Sequence, residues 1–159
     1  SIATLRRELP GDALVGAGTV LSVQAVAEVQ TAGGELIVMP HADVVVIRAA
    51  KTAGLVCVPG VATPTEAFAA LSAGADALKL FPAELVSPAA LKSMRAVLPR
   101  GTALLPVGGI TPEGMGAYHE VGAAGFGLGS ALYAPGQSVQ VVQARAEAFR
   151  RAWHDLVRG

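Results

Sequence analysis

One cysteine, Cys57, is all the thiol chemistry that this chain of 159 residues contains. No disulfide can form within the chain, and no cysteine-based metal cage can be built. Its surroundings, Leu55-Val56-Cys57-Val58, are apolar on both sides, and the thiol reads as a buried, reduced small hydrophobe. Charge is equally sparse at 15% of residues, with 12 basic side chains balancing 12 acidic ones. That balance excludes the basic field with which proteins hold nucleic acid or an anionic membrane surface, so neither is an expected partner, and only a local anion site remains open. No His, Cys or carboxylate set has metal-ligand spacing, and no Ser-His-acid set stands out. His41, after Met39-Pro40, reads as a polar loop residue. Long apolar runs are missing too: Val44-Val45-Val46-Ile47 stops far short of the roughly 18 residues of a membrane span. The segment Ser1 to Leu9 carries Arg6, Arg7 and Glu8 inside its apolar periodicity, which predicts a helix and not a signal peptide. The expected compartment is the cytoplasm.

What is abundant is apolar surface, 52% of the residues, together with 19 glycines. A chain of this length buries one substantial core, and the expectation is a single domain over residues 1–159. Short Val-, Leu- and Gly-rich runs centre near Ala17, Val38, Cys57, Lys79, Pro106 and Gly127, each followed by a stretch of helical periodicity. Runs that are apolar without alternation imply strands covered on both faces, and strand-then-helix repetition implies a parallel sheet. The predicted class is α/β, either an open doubly wound sheet or a (β/α) barrel. Thr63-Pro64, Ser87-Pro88 and Thr111-Pro112 each place a cap residue before a proline suited to a first helical position. Thr63 and Glu66 have capping-box spacing. Gly33, Gly54, Gly74 and Gly122 fall where helices should end. Gln137 to Gly159 reads as a longer amphipathic helix, with Val141, Ala148, Phe149, Ala152 and Trp153 on one face.

The candidate chemistry centres on Lys79, inside the strand-like run Ala77-Leu78-Lys79-Leu80-Phe81 that Pro82 ends. Desolvation disfavours an ammonium and lowers its pKa, which is how a lysine becomes a nucleophile. Lys51 and Lys92 lie in helical patterns and read as solvated surface charges. Pro106-Val107-Gly108-Gly109 ends the fifth readable strand, and Gly127-Leu128-Gly129-Ser130 ends the sixth before Ala131-Leu132-Tyr133. Glycines at two consecutive strand ends let backbone N–H groups approach an anion, and Ser130 adds a hydroxyl, a combination that fits phosphate. Thr19, closing Gly16-Ala17-Gly18-Thr19, either holds a carboxylate or carbonyl oxygen or caps the helix that follows. Glu84 reads as a loop carboxylate well past Lys79, and no general base stands out.

In order and approximate spacing, Val15-Gly16-Ala17-Gly18-Thr19-Val20-Leu21, Pro59-Gly60, Lys79-Leu80-Phe81-Pro82-Ala83-Glu84 and Gly108-Gly109 resemble the KDPG/KHG aldolase family across essentially the whole chain. The resemblance implies a (β/α)₈ TIM barrel, usually a homotrimer, and a class I, Schiff-base aldolase that needs no metal or organic cofactor. It also implies a 2-keto-3-deoxy-6-phospho sugar acid as substrate, cleaved to pyruvate and glyceraldehyde 3-phosphate. Carried over residue by residue, Lys79 would be the Schiff-base lysine, Thr19 would hold the pyruvate carboxylate, and Phe81 would line the pocket. Gly108, Gly109, Gly129 and Ser130 would bind phosphate. Val107, Pro59 to Phe68 and Gly136-Gln137-Ser138-Val139 look like the branch acting on 6-phosphogalactonate acids, whereas Pro82-Ala83-Glu84 resembles the 6-phosphogluconate branch. Six strand–helix units against eight, in a chain shorter than the ~200 residues at which such barrels start, imply an N-terminally incomplete barrel lacking the strand that carries the family's acid/base glutamate. The rival expectations are an inactive phosphosugar-binding fragment and a different phosphate-binding barrel enzyme, an isomerase or synthase.

Overall fold

The computed structural model describes residues 1–158. Their elements run in the order α1 (Ile2–Glu8), β1 (Gly16–Gly18), α2 (Val23–Thr31), β2 (Leu36–Val38), α3 (Val44–Thr52), β3 (Val56–Val58), β4 (Gly60–Val61), α4 (Pro64–Ser72), β5 (Leu78–Leu80), α5 (Pro88–Val97), β6 (Leu104–Pro106), α6 (Met115–Glu120) and α7 (Val139–Arg158). Residues up to Lys79 form one compact unit and those from Leu80 onward a second.

In the first unit β1, β2 and β3 pair in parallel, with Ala17 opposite Ile37 and Ile37 opposite Cys57. β2 and β3 are apolar and buried or half-buried throughout, whereas β1 is half-buried and ends exposed at Gly18. Ile37, Met39, Ile47, Ala50, Cys57 and Leu78 are fully buried. Gly16 has no freedom to carry a side chain, since a β-carbon there would collide with the Leu36 carbonyl oxygen. The neighbouring strand end is held by Val20, whose N–H donates to the Val38 carbonyl at 3.3 Å. Beyond β3, the Lys79 N–H donates to the Pro59 carbonyl at 2.9 Å, which sets the start of β5 beside β4.

The second unit opens with Leu80, whose carbonyl accepts from the Val107 N–H at 3.0 Å, while Val107 O accepts from the Ala83 N–H at 2.8 Å. Leu80, Leu91 and Leu104 are fully buried here. Ala83, Ile110, Met115 and Phe149 form a second cluster, against which Tyr118, Phe126, Leu128 and Trp153 pack. The expected sixth strand shrinks to a single parallel bridge between Val107 and Gly127. Its glycines explain this: Gly127 approaches so closely that a β-carbon would meet Val107 Cγ2 at 2.5 Å, and glycine weakens any longer ladder.

Capping chemistry places the helices. Ser22, Asp43, Thr63 and Ser87 each accept a backbone N–H at the start of α2, α3, α4 and α5. Gly33, Gly54, Gly74 and Gly122 all take the left-handed conformation that ends a helix. The Thr111-Pro112 expectation is corrected: Thr111 Oγ1 instead accepts from the Gly114 N–H at 3.2 Å in a turn, and α6 starts only at Met115. The last helix spans Val139–Arg158, and its expected end at Gly159 lies outside the described residues.

The capping box of α4 is complete. Thr63 Oγ1 accepts from the Glu66 N–H at 3.3 Å, and Glu66 Oε2 accepts from the Ala62 and Thr63 N–H groups, both at 2.9 Å. These donors, the Ala62 N–H first and then the Thr63 hydroxyl, hold the Glu66 carboxyl below its ordinary value. A depressed carboxyl stabilises the fold above its unfolded pKa and loses that contribution as pH falls through the folded one. Thr63→Ala is expected to lower stability by about 1 kcal/mol and to move the Glu66 titration upward. Chemical denaturation and carboxyl NMR titration check the two, and an unmoved Glu66 would contradict the box as the cause.

Candidate functional site

Lys79 stands in the middle of β5 between two fully buried leucines, Leu78 and Leu80. Its own side chain is half-buried, and that burial lowers the amine below the ordinary lysine value. The other two lysines differ from it. Lys92 is exposed on α5, as expected. Lys51 is not the plain solvated amine that its helical setting predicts: Nζ pairs with Asp76 Oδ2 at 2.6 Å and donates to the Leu55 carbonyl at 3.0 Å. The same Asp76 oxygen accepts the Cys57 N–H at 2.8 Å, so the cluster ties α3 to β3. Cys57 is free and buried, and burial, followed by the Asp76 charge, pushes its thiol up to about 11. A thiol so placed has almost no thiolate near neutrality and is inert.

Thr19 lies at the end of β1 with φ 58°, the left-handed region that a β-branched residue rarely enters. It is exposed and lines an open pocket of about 320 Å³ with Ala17, Gly18, Val20 and Glu28. Strained conformations of this kind persist where surrounding structure imposes them. Of the remaining first-unit candidates, His41 is exposed in the turn after β2.

In the second unit Phe81 is half-buried and joined to Pro82 by a cis peptide bond. Val107 is half-buried beside its bridge to Gly127, with Gly108 at φ 107° and Gly109 at φ 61° after it. Sequence reasoning missed what faces these glycines. A β-carbon on Gly108 would lie 2.6 Å from Glu84 Oε2, and one on Gly109 would lie 3.0 Å from Oε1. Glu84, Gly108, Gly109, Thr111 and Tyr118 line a cavity of about 100 Å³. Tyr118 donates to the Ala83 and Val86 carbonyls at 2.9 and 3.1 Å, and burial followed by the Glu84 charge raises its hydroxyl above the ordinary value.

A second cavity of about 370 Å³, which shares Ile110 and Thr111 with the first, is lined by Thr111, Ser130 and Arg145 among Ile110, Ala148 and Phe149. Ser130 is exposed in a turn, with the preceding Gly129 carbonyl accepting from the Leu132 and Tyr133 N–H groups at 2.9 and 3.0 Å. Ser130 thus opens a single turn and not the expected helix. Arg145 was legible as an anomaly only: it occupies the face of α7 that carries Val141, Ala148 and Phe149, where an apolar side chain belongs. Among the described residues no group of His, Cys, Asp or Glu could hold a metal ion, and no helix is long and apolar enough to cross a membrane.

Parallel strand–helix units define an α/β protein, whose first unit carries a half-buried strand lysine and whose second carries glycine-ended loops beside hydroxyl and guanidinium groups. The family model for KDPG and KHG aldolase matches residues 1–144. This chain belongs to that family. It is 45% identical over its full length to a probable 2-dehydro-3-deoxy-6-phosphogalactonate aldolase of Rhizobium meliloti (strain 1021), spanning 74% of that protein. It is 47% identical over 91% of its length to the 2-dehydro-3-deoxy-6-phosphogalactonate aldolase of Escherichia coli (strain K12), spanning 71% of that protein. Among solved structures, one described as native KDPGal superposes with a TM-score of 0.96 at 44% identity, over 99% of this chain and 77% of its own.

Proposed function

We propose that this chain is a class I aldolase that cleaves 2-dehydro-3-deoxy-6-phosphogalactonate to pyruvate and glyceraldehyde 3-phosphate. The carrying observation is Lys79, a strand lysine whose amine burial makes easier to deprotonate. The neutral amine adds to the C2 ketone and loses water to give a protonated imine. A base takes the C4 hydroxyl proton, the C3–C4 bond breaks, and its electron pair moves into the imine to form an enamine. Carbons 4 to 6 leave as glyceraldehyde 3-phosphate. The enamine is protonated at C3, and hydrolysis releases pyruvate and restores Lys79.

Thr19 holds the pyruvate carboxylate in this reading, Phe81 lines the pocket, and Gly108, Gly109, Gly129 and Ser130 take the phosphate with Val107 beside them. The galactonate configuration is supported by the 45% and 47% identical relatives of that name. The same reading makes residues 1–159 one barrel-type domain, with six strand–helix units of the eight in a (β/α)₈ barrel, and makes the protein a homotrimer. It places the reaction in the cytoplasm, where a free thiol such as Cys57 stays reduced.

Pyruvate with borohydride tests the chemistry directly. The expected product is an N-carboxyethyl adduct confined to the peptide that holds Lys79. No adduct at saturating pyruvate would sink the aldolase reading and leave a phosphosugar-binding protein.

A further inference from the structure

Resting on that reading, we propose that Arg145 is a phosphate-specificity residue, supplying from α7 the positive charge that the glycine loops lack. Two unlike cavities meet at Ile110 and Thr111. In one, of about 100 Å³, the Glu84 carboxylate lies against Gly108 and Gly109; that cavity is small and carries the wrong sign for a dianion. The other, of about 370 Å³, has Thr111, Ser130 and Arg145 as its polar side chains, and Ser130 is the residue through which it joins the proposed phosphate end; its remaining walls are Ile110, Pro112 and Phe149 among other apolar residues.

Arg145 is half-buried, and no described residue forms an ion pair or hydrogen bond with its guanidinium. A half-buried guanidinium without a carboxylate partner keeps its charge available to an anion in the cavity, and its planar fork matches two phosphate oxygens. Backbone N–H groups and one hydroxyl orient an anion but carry no net charge. The cation therefore decides how strongly a phosphorylated acid is preferred over its unphosphorylated counterpart.

The test is calorimetric titration of the full chain with inorganic phosphate, comparing the parent with Arg145→Gln and Arg145→Lys. Loss of a charge-assisted pair is expected to weaken binding roughly tenfold or more in Arg145→Gln. Arg145→Lys should retain a part of the affinity, because a point charge keeps the attraction without the fork. Equal affinity in Arg145→Gln and the parent, or no phosphate binding by the parent, would overturn the proposal. If Arg145→Gln does not fold, by its thermal transition, Arg145→Lys decides: weaker binding supports the role, and unchanged binding ends it. Pyruvate labelling of Lys79 should be equal in parent and variants. Loss of labelling in all of them would count against the aldolase reading, whereas intact labelling with unaltered phosphate affinity counts against Arg145 alone.

Discussion

Lys79→Met is expected to lower kcat/KM for the phosphorylated 2-keto-3-deoxy acid by on the order of 10⁴-fold or more, since removing a covalent nucleophile leaves only binding and orientation. The variant should give no borohydride adduct. In the parent, labelling by pyruvate should rise with pH, because only the neutral amine attacks. Burial lowers the Lys79 amine, so the midpoint of that rise should fall below the ordinary lysine value of about 10.4. The same shift links to stability with a definite sign. Between the lowered folded value and the ordinary unfolded one the unfolded chain binds more protons, so the parent gains stability as pH rises across that window. A labelling midpoint at or above the ordinary value would remove desolvation as the cause of reactivity. Residual turnover of Lys79→Met within tenfold of the parent would remove the lysine itself from the mechanism.

Leu80→Ala, one residue along β5, should do the opposite, costing about 2–5 kcal/mol of stability through lost apolar burial and the cavity left behind. Leu80 is fully buried, and its carbonyl holds Val107 at 3.0 Å. The backbone bond survives the substitution, so the fraction that remains folded should still label with pyruvate. Denaturant titration with labelling at low denaturant separates the effects. A loss below about 1 kcal/mol would mean that the site relaxes far more than a packed strand core does. Alternation along β5 thus puts a chemical residue and core residues next to one another, with consequences that one experiment can distinguish.

Much of the local architecture was legible from spacing. The first five apolar runs are strands, and Gly33, Gly54, Gly74 and Gly122 end helices in the left-handed conformation. These are short-range matters, decided by sterics, caps and burial within a few residues. Thr111-Pro112 misled because a cap residue before proline suits a turn as well as a helix start. The relation of this chain to the KDPG and KHG aldolases was readable as well, since the Gly16 to Leu21 run and the Lys79 to Pro82 element hold their order along the chain.

What the linear chain determined, then, is that Lys79 occupies a desolvated strand position and that glycines end the strands carrying the loops, because both follow from neighbours in sequence. Only the tertiary structure decided that Glu84 lies against Gly108 and Gly109, that Arg145 shares a cavity with Ser130, and that Lys51 meets Asp76. Those pairs are separated by 15 to 25 residues, and no local preference specifies which loop faces which. Packing of helices onto the strands brings them together, and the charges at the proposed phosphate end are set by that packing.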